Sequence, residues 1–259
     1  ADADGLLAIG GAQAIAALAR GLLGVPRCDV IAGPGNKWVT AAKHLLSGEV
    51  GIDMLAGPSE LVILADDSAD PDIVAADLLA QAEHDDDAVP ILVSTSADLV
   101  NRVEVALNAQ LATLPTASTA RAALSNGFAV LAESVAHAAA ICDRLAPEHL
   151  ELLVRDAPSL ALAITNAGAI FVGARSAEVL GDYGAGPNHV LPTGGTARFR
   201  AGLSVLTFLR CRTWLRVDSP TAAAELIDDA VALARMEGLE AHARSAERRH
   251  APRGDTRMQ

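Results

Sequence analysis

The chain has 259 residues, 51% of them hydrophobic but only 3% aromatic, and carries a formal charge of −12. A core built from Ala, Leu, Val and Ile suits layered helices on parallel strands better than an aromatic-rich sandwich. The acidic balance argues against nucleic acid as a general partner, since phosphate neutralisation needs a basic face, and no apolar run approaches the ~20 residues of a membrane span.

"LLAIGG" reads as a short buried strand and "AQAIAALAR" as the helix after it; "CDVIAGPGN" is a second strand entering a glycine turn, and "KWVTAAKHLLS" a second helix. Strand alternating with helix signals a parallel α/β sheet. "GEVGIDMLAGPSE" interrupts with loop residues before the strand "LVILADD". Asp70 and Pro71 then supply an N-cap and a first-turn proline for a helix that carries Gln81 and His84. "AVPILVSTS" completes a βαβ unit of the usual right-handed type.

The alternation continues with a helix at "LVNRVEVALNAQLATL", a strand at "FAVLAE", a helix at "VAHAAAICDRLA" and a strand at "LELLV". A helix at "SLALAITNA" and the strand "AIFVG" close the set. "SVLTFLRCRTWLRVD" reads as extended chain, and "TAAAELIDDAVALARMEGLEAHARSAERR" as helix with a short break at Gly238. That tail is too short for a core of its own, so docking on the body or on a partner chain is expected. The basic end, "ARSAERRHAPRGDTRMQ", reads as a helix running into a disordered terminus.

Cys28, Cys142 and Cys211 show no C-x-x-C spacing; reduced, buried thiols in a cytoplasmic protein are the expectation. No signal peptide is recognised. The sequence starts without Met and runs almost at once into strand-like residues, which suggests a processed protein or a fragment.

Gln81 and His84 are three residues apart, a spacing that puts both on one helix face, although a helix-end His is also favoured by the helix dipole alone. "LAPEHLELL" sets Glu148 and His149 just after a helix stop, at the mouth of a strand, where α/β sheets bind ligands at the carboxyl ends. Adjacent Glu and His offer two proton-transfer groups; a plain polar turn is the alternative. "GDYGAGPNHVLPTGG" packs Asp182, Asn188 and His189 into a loop stiffened by proline and rich in glycine, as found where backbone approaches a ligand. "AGPGNKW" offers backbone N–H groups at a helix start, a weak phosphate-cradle signal that is not the G-x-G-x-x-G fingerprint. Gln81, His84, Asp182 and His242 together form a nitrogen-and-oxygen donor set suited to zinc, and the lack of thiolate favours a catalytic site.

"GGAQAIAALA", "GPGN", "AGPSE", "ADLLAQAEHD", "APEHLEL", "GDYGAGPNHVLPT" and "GLEAHA" occur in the order seen in histidinol dehydrogenase, and the chain resembles that family from about Gly10 to His242. The resemblance implies oxidation of L-histidinol to L-histidine through an aldehyde, using zinc and two NAD+. It implies zinc ligation by Gln81, His84, Asp182 and His242. It makes His149 the base for the alcohol and Glu148 the base for the water that hydrates the aldehyde. Ser59, His189 and Glu237 join the zinc ligands and His149 in contacting substrate, and Gln13 and Asn36 contact NAD. A homodimer is implied, with the C-terminal arm completing the partner's site. So are two Rossmann-like α/β lobes with a helical arm: residues 1–58 as the remaining part of the NAD-contacting lobe, 59–201 as the catalytic lobe and 202–259 as the arm. The family's long N-terminal region, with its NAD-contacting tyrosine, is missing, so each parallel sheet is expected to be short of strands. Two other readings stay open: an inactive, truncated remnant that binds zinc and histidinol, and a zinc hydrolase in which Glu148 or His149 activates metal-bound water.

Overall fold

The computed structural model describes residues 3–22, 24–219 and 221–250. In chain order the elements are α1 (Gly11–Arg20), β1 (Val30–Ile31), α2 (Lys37–Leu46), β2 (Gly51–Ile52), β3 (Glu60–Ala65), α3 (Pro71–Ala82) and β4 (Val89–Ser94). Then follow α4 (Ala97–Leu111), α5 (Ala117–Leu124), β5 (Phe128–Leu131), α6 (Val135–Leu145), β6 (His149–Leu153), α7 (Ala157–Ala163), β7 (Ala169–Val172) and the one-turn α8 (Val179–Asp182). Helices α9 (Ala224–Met236) and α10 (Glu240–Glu247) come last. The chain divides into two compact units between Leu209 and Arg210.

The first unit holds two sheets, both wholly parallel: β1 beside β2, and a five-stranded sheet in the order β5-β4-β3-β6-β7. Starting at the centre and winding outward in both directions makes this a doubly wound α/β sheet. The central strand reads "ELVILA" because it is covered on both faces. Leu61, Ile63 and Ala65 pack with Val74, Leu78, Leu99 and Val103 from α3 and α4. Val62 and Leu64 face the opposite way, against Ala138 and Cys142 of α6 and Ala157 of α7. The period-2 alternation of a strand assigns these faces, and the same rule places His149 and Glu151 of β6 on the α3 side with Leu153. A third cluster joins α3 to α5, and a fourth binds α1 and α2 over the two-stranded sheet.

Helix starts follow their caps. Asp70 accepts from the Asp72 N–H at 2.9 Å with Pro71 in the first turn, as expected from sequence. Ser96 and Ser134 cap α4 and α6 at 3.1 Å each. Helix α6 ends at Ala146, the one non-glycine residue of left-handed conformation among those described (φ 50°), immediately before Pro147.

Several local expectations are corrected. "LLAIGG" forms no strand, since residues 5–10 find no pairing partner. Helix α5 was not anticipated; its Ala-rich stretch packs Ala120 and Ala123 onto α3. "SVLTFLRCRTWLRVD" contains a single 3-10 turn at Val205–Phe208 and no strand. Of the cysteines only Cys142 is buried; Cys28 is intermediate and Cys211 exposed, because the last sits in that unpaired stretch. The expected disordered terminus at residues 251–259 lies outside the described residues. In the second unit, α9 and α10 pack together with Gly238 (φ 75°) between them, matching the break read from sequence. No helix among the described residues is long and apolar enough to cross a membrane.

Candidate active site

The "PEH" triplet enters the sheet at the amino end of β6, beside the amino end of β3: the register pairs Leu61 with His149. This corrects the expectation of a site at the carboxyl ends. At that opposite edge, Asp66 accepts from the Arg155 N–H at 3.1 Å and Arg155 forks onto Asp67 at 2.7 and 3.1 Å.

Glu60 frames the pair. Its N–H donates to Glu148 Oε2 at 3.0 Å, its own carboxylate accepts from the Glu148 N–H at 3.2 Å and the Gly194 N–H at 2.9 Å, and its carbonyl oxygen lies 3.2 Å from His149 Nδ1. Ser59 donates its hydroxyl to Glu148 Oε2 at 2.7 Å. Behind the pair, a Cβ on Gly168 would stand 2.5 Å from the Glu148 carbonyl, so only glycine fits there. Glu148 and His149 are 6% and 5% exposed.

Burial is the main cause of each shift in ionisation. It pushes Glu148 up to about 7, with repulsion from Glu60 and Glu178 adding to it and the hydrogen bonds from Ser59 and the Glu60 N–H opposing it. It lowers His149 below the usual imidazole range; the Glu60 carbonyl and Asp182 favour the protonated ring, whereas His84 and His189 oppose it. Burial also raises Glu60, against the N–H groups of Gly194, Glu148 and Gly195. A carbonyl oxygen only accepts, so the Glu60 contact puts the proton of the neutral His149 ring on Nδ1 and leaves Nε2 as the basic nitrogen. Nε2 faces Glu178 Oε1 at 3.5 Å, and burial together with Asp182 and Asp77 raises Glu178 to about 7.

The other sequence-derived positions fall into three groups. Asp182, His84 and His189 lie near enough to act electrostatically on His149, and His189 Nδ1 is 3.5 Å from Asp182 Oδ1. Helix α3 stops at Ala82, so His84 sits in the following turn, exposed, its N–H donating to the Gln81 carbonyl at 3.3 Å, whereas Gln81 is buried at 3% exposure. Asn36 caps α2, accepting from the Trp38 and Val39 N–H groups at 3.1 and 3.3 Å, and Gln13 lies exposed on α1. Glu237 and His242 belong to the second unit, both exposed.

Amide oxygen, imidazole and carboxylate suit zinc. Among the described residues no group of three or more His, Cys, Asp and Glu stands close enough to hold a metal. The first unit supplies only His84 and Asp182 of that kind to the donor set, beside the Gln81 amide. The donor chemistry fits.

Sequence reasoning passed over Glu60, Asp77, Glu151 and Glu178. Glu60 stands in the quoted "AGPSE", and its signal was a carboxylate at the first position of an otherwise apolar strand. Glu151 sits one strand period from His149, and Glu178 four residues before Asp182.

The family model for histidinol dehydrogenase matches residues 1–250. The chain is 53% identical to the histidinol dehydrogenase of Thermus thermophilus over 96% of its own length and 60% of that protein's. It is 48% identical to that of Zymomonas mobilis over 94% of its length and 57% of the relative's. It also matches the crystal structure of histidinol dehydrogenase from Elizabethkingia anophelis with a TM-score of 0.86 at 38% identity, covering 93% of this chain and 55% of that one. The chain thus spans 60% or less of the length of these relatives.

Proposed function

The chain belongs to the histidinol dehydrogenase family, and from that premise we propose that it carries the catalytic lobe for oxidation of L-histidinol to L-histidine through the bound aldehyde. The observation that carries the reading is the His149 ring, held with Nδ1 at the Glu60 carbonyl, which leaves Nε2, facing Glu178 Oε1 at 3.5 Å, as the basic nitrogen. A buried imidazole kept neutral near pH 7 suits removal of an alcohol proton. Glu148 is placed to activate the water that hydrates the aldehyde, using the oxygen that Ser59 and the Glu60 N–H leave uncommitted. In this reading Ser59, His189 and Glu237 contact the substrate together with His149 and the zinc ligands.

Zinc, held by Gln81, His84, Asp182 and His242, would orient and polarise the substrate, and NAD+ would accept hydride in each of two oxidations. Asn36, at the start of α2, and Gln13 are the proposed NAD contacts; the Asn36 oxygen caps the helix and its amide N–H groups remain for a ligand. We place His242 and Glu237 in the partner subunit's site, which makes the assembly a homodimer. A cytoplasmic location goes with this biosynthetic role.

The test is L-histidinol with NAD+, zinc and the dimeric chain, followed by NADH absorbance. NADH formation supports the dehydrogenase. Zinc-dependent histidinol binding in calorimetry without NADH would instead identify a binding remnant.

A further inference from the structure

We propose that Glu151 is a positioning residue, which acts through the backbone of Glu178 to hold the Glu178 carboxyl against Nε2 of His149. The assignment rests on the reading of His149 as the base. Glu151 lies two residues beyond His149 on β6, on the same face of the sheet, and is 1% exposed. A carboxyl in that place contradicts the apolar pattern of its strand, whose register neighbours are Ile63 and Phe171.

Glu151 Oε1 accepts the Glu178 N–H at 2.7 Å. Glu178 is the residue from which α8 starts, it is 7% exposed, and its Oε1 lies 3.5 Å from His149 Nε2. The link from Glu151 to the imidazole is therefore one hydrogen bond and one side chain long. No donor among the described residues reaches Glu151 Oε2, an otherwise costly state for a buried oxygen. The Asp77 carboxyl of α3 is its hydrogen-bonding neighbour. Two carboxyls bond only with a proton between them, and burial raises both. A protonated Glu151 carries no charge into this buried place and still accepts the Glu178 N–H on Oε1. It ties the helix that carries Gln81 to the segment that carries Glu178.

A neutral, proton-donating Glu is mimicked by Gln, which keeps the carbonyl acceptor for Glu178 and turns its amide to Asp77. Leu, of similar volume, removes the acceptor. The experiment records the ¹⁵N signal of His149 Nε2 in the wild-type chain and in the Glu151→Gln, Glu151→Leu and Glu178→Ala variants. Glu151→Leu and Glu178→Ala are expected to shift the signal in the same direction, with Glu151→Gln at the wild-type position. A wild-type signal in folded Glu151→Leu, or no shift in Glu178→Ala, overturns the proposal. Hydrogen exchange of the Glu178 amide in the wild-type chain decides the matter if Glu151→Leu does not fold: protection supports the bond to Glu151, and exchange at the unprotected rate overturns it. Neither readout needs turnover, so a chain that makes no NADH counts against the functional reading while the ring signal still decides the role of Glu151.

Discussion

Glu60 and Glu148 exchange hydrogen bonds in both directions: each backbone N–H donates to the other's carboxylate, at 3.0 and 3.2 Å. The two residues stand at the amino ends of neighbouring parallel strands, where the ladder leaves backbone donors without partners. Side-chain oxygens fill that gap, and one of them is the carboxylate assigned to water activation. The Glu60 carbonyl also lies 3.2 Å from His149 Nδ1, so the residue that bonds Glu148 sets the tautomer of the proposed base as well.

His149→Ala should abolish oxidation of histidinol and leave zinc binding intact, since the ring is not in the proposed donor set. A positioned general base contributes roughly 10²- to 10⁴-fold, and a loss of that size at saturating histidinol and NAD+ is expected. Retained turnover would remove His149 from the role.

The buried acids make a pH prediction. Glu148 rises from 4.5 to about 7 on folding, so between those values the folded chain holds a proton that the unfolded chain has released. Stability therefore falls as pH rises through that window, by up to about 3 kcal/mol for this one group. Glu178, also raised to about 7, adds to the fall. Melting temperature measured from pH 5 to 8 should decline, and Glu148→Gln should flatten the slope. A melting temperature that climbs across this range would contradict the burial argument. Turnover should run the other way, because Glu148 must be ionised to act on water.

How much of this was legible beforehand follows from range. The alternation of strand and helix from β3 onward and the Asp70–Pro71 helix start depend on local pattern, and the structure keeps them. The edge of the sheet at which the Glu148–His149 pair sits depends on where strand β6 begins, and adjacent residues cannot say whether a loop enters or leaves a strand. The end of the helix between Gln81 and His84 was equally out of reach: α3 stops at Ala82, and His84 follows in a turn where its N–H donates to the Gln81 carbonyl at 3.3 Å. Glu151 was invisible because a single carboxyl in "LELLV" reads as the solvent side of an alternating strand, whereas this strand is covered on both faces.

Gly168→Ala tests the fit behind the catalytic pair. The added methyl would meet the Glu148 carbonyl at 2.5 Å and Pro192 Cδ at 3.2 Å, too close for a backbone atom to tolerate. The strand start must shift, disturbing the Glu60 exchange. A loss of about 1–3 kcal/mol in stability, of the overpacking kind, should accompany weaker histidinol binding. Denaturant titration and calorimetry measure the two, and an unchanged variant would show that the β6 entry is softer than its contacts imply.

Lys43→Met tests the "GPGN" turn. Lys43 Nζ sits 2.6 Å from Asp53 Oδ1 and 2.5 Å from the Gly33 carbonyl, while Asp53 Oδ2 accepts the Gly33 N–H at 2.8 Å. Both polar groups of Gly33 (φ 132°) are thus held by one ion pair, with side chains 5% and 0% exposed. Gly33 opens the "GPGN" turn that ends at Asn36, the proposed NAD contact. Removing the lysine strands a buried carboxylate, which costs about 3–5 kcal/mol, and frees the turn. Lower stability together with weaker NAD+ binding is expected. Lys43→Met/Asp53→Asn, which removes both charges but keeps an acceptor for the Gly33 N–H, should recover much of the stability without restoring the Gly33 carbonyl's partner. NAD+ affinity that returns fully with stability would show that the pair holds up the fold and does not set the turn.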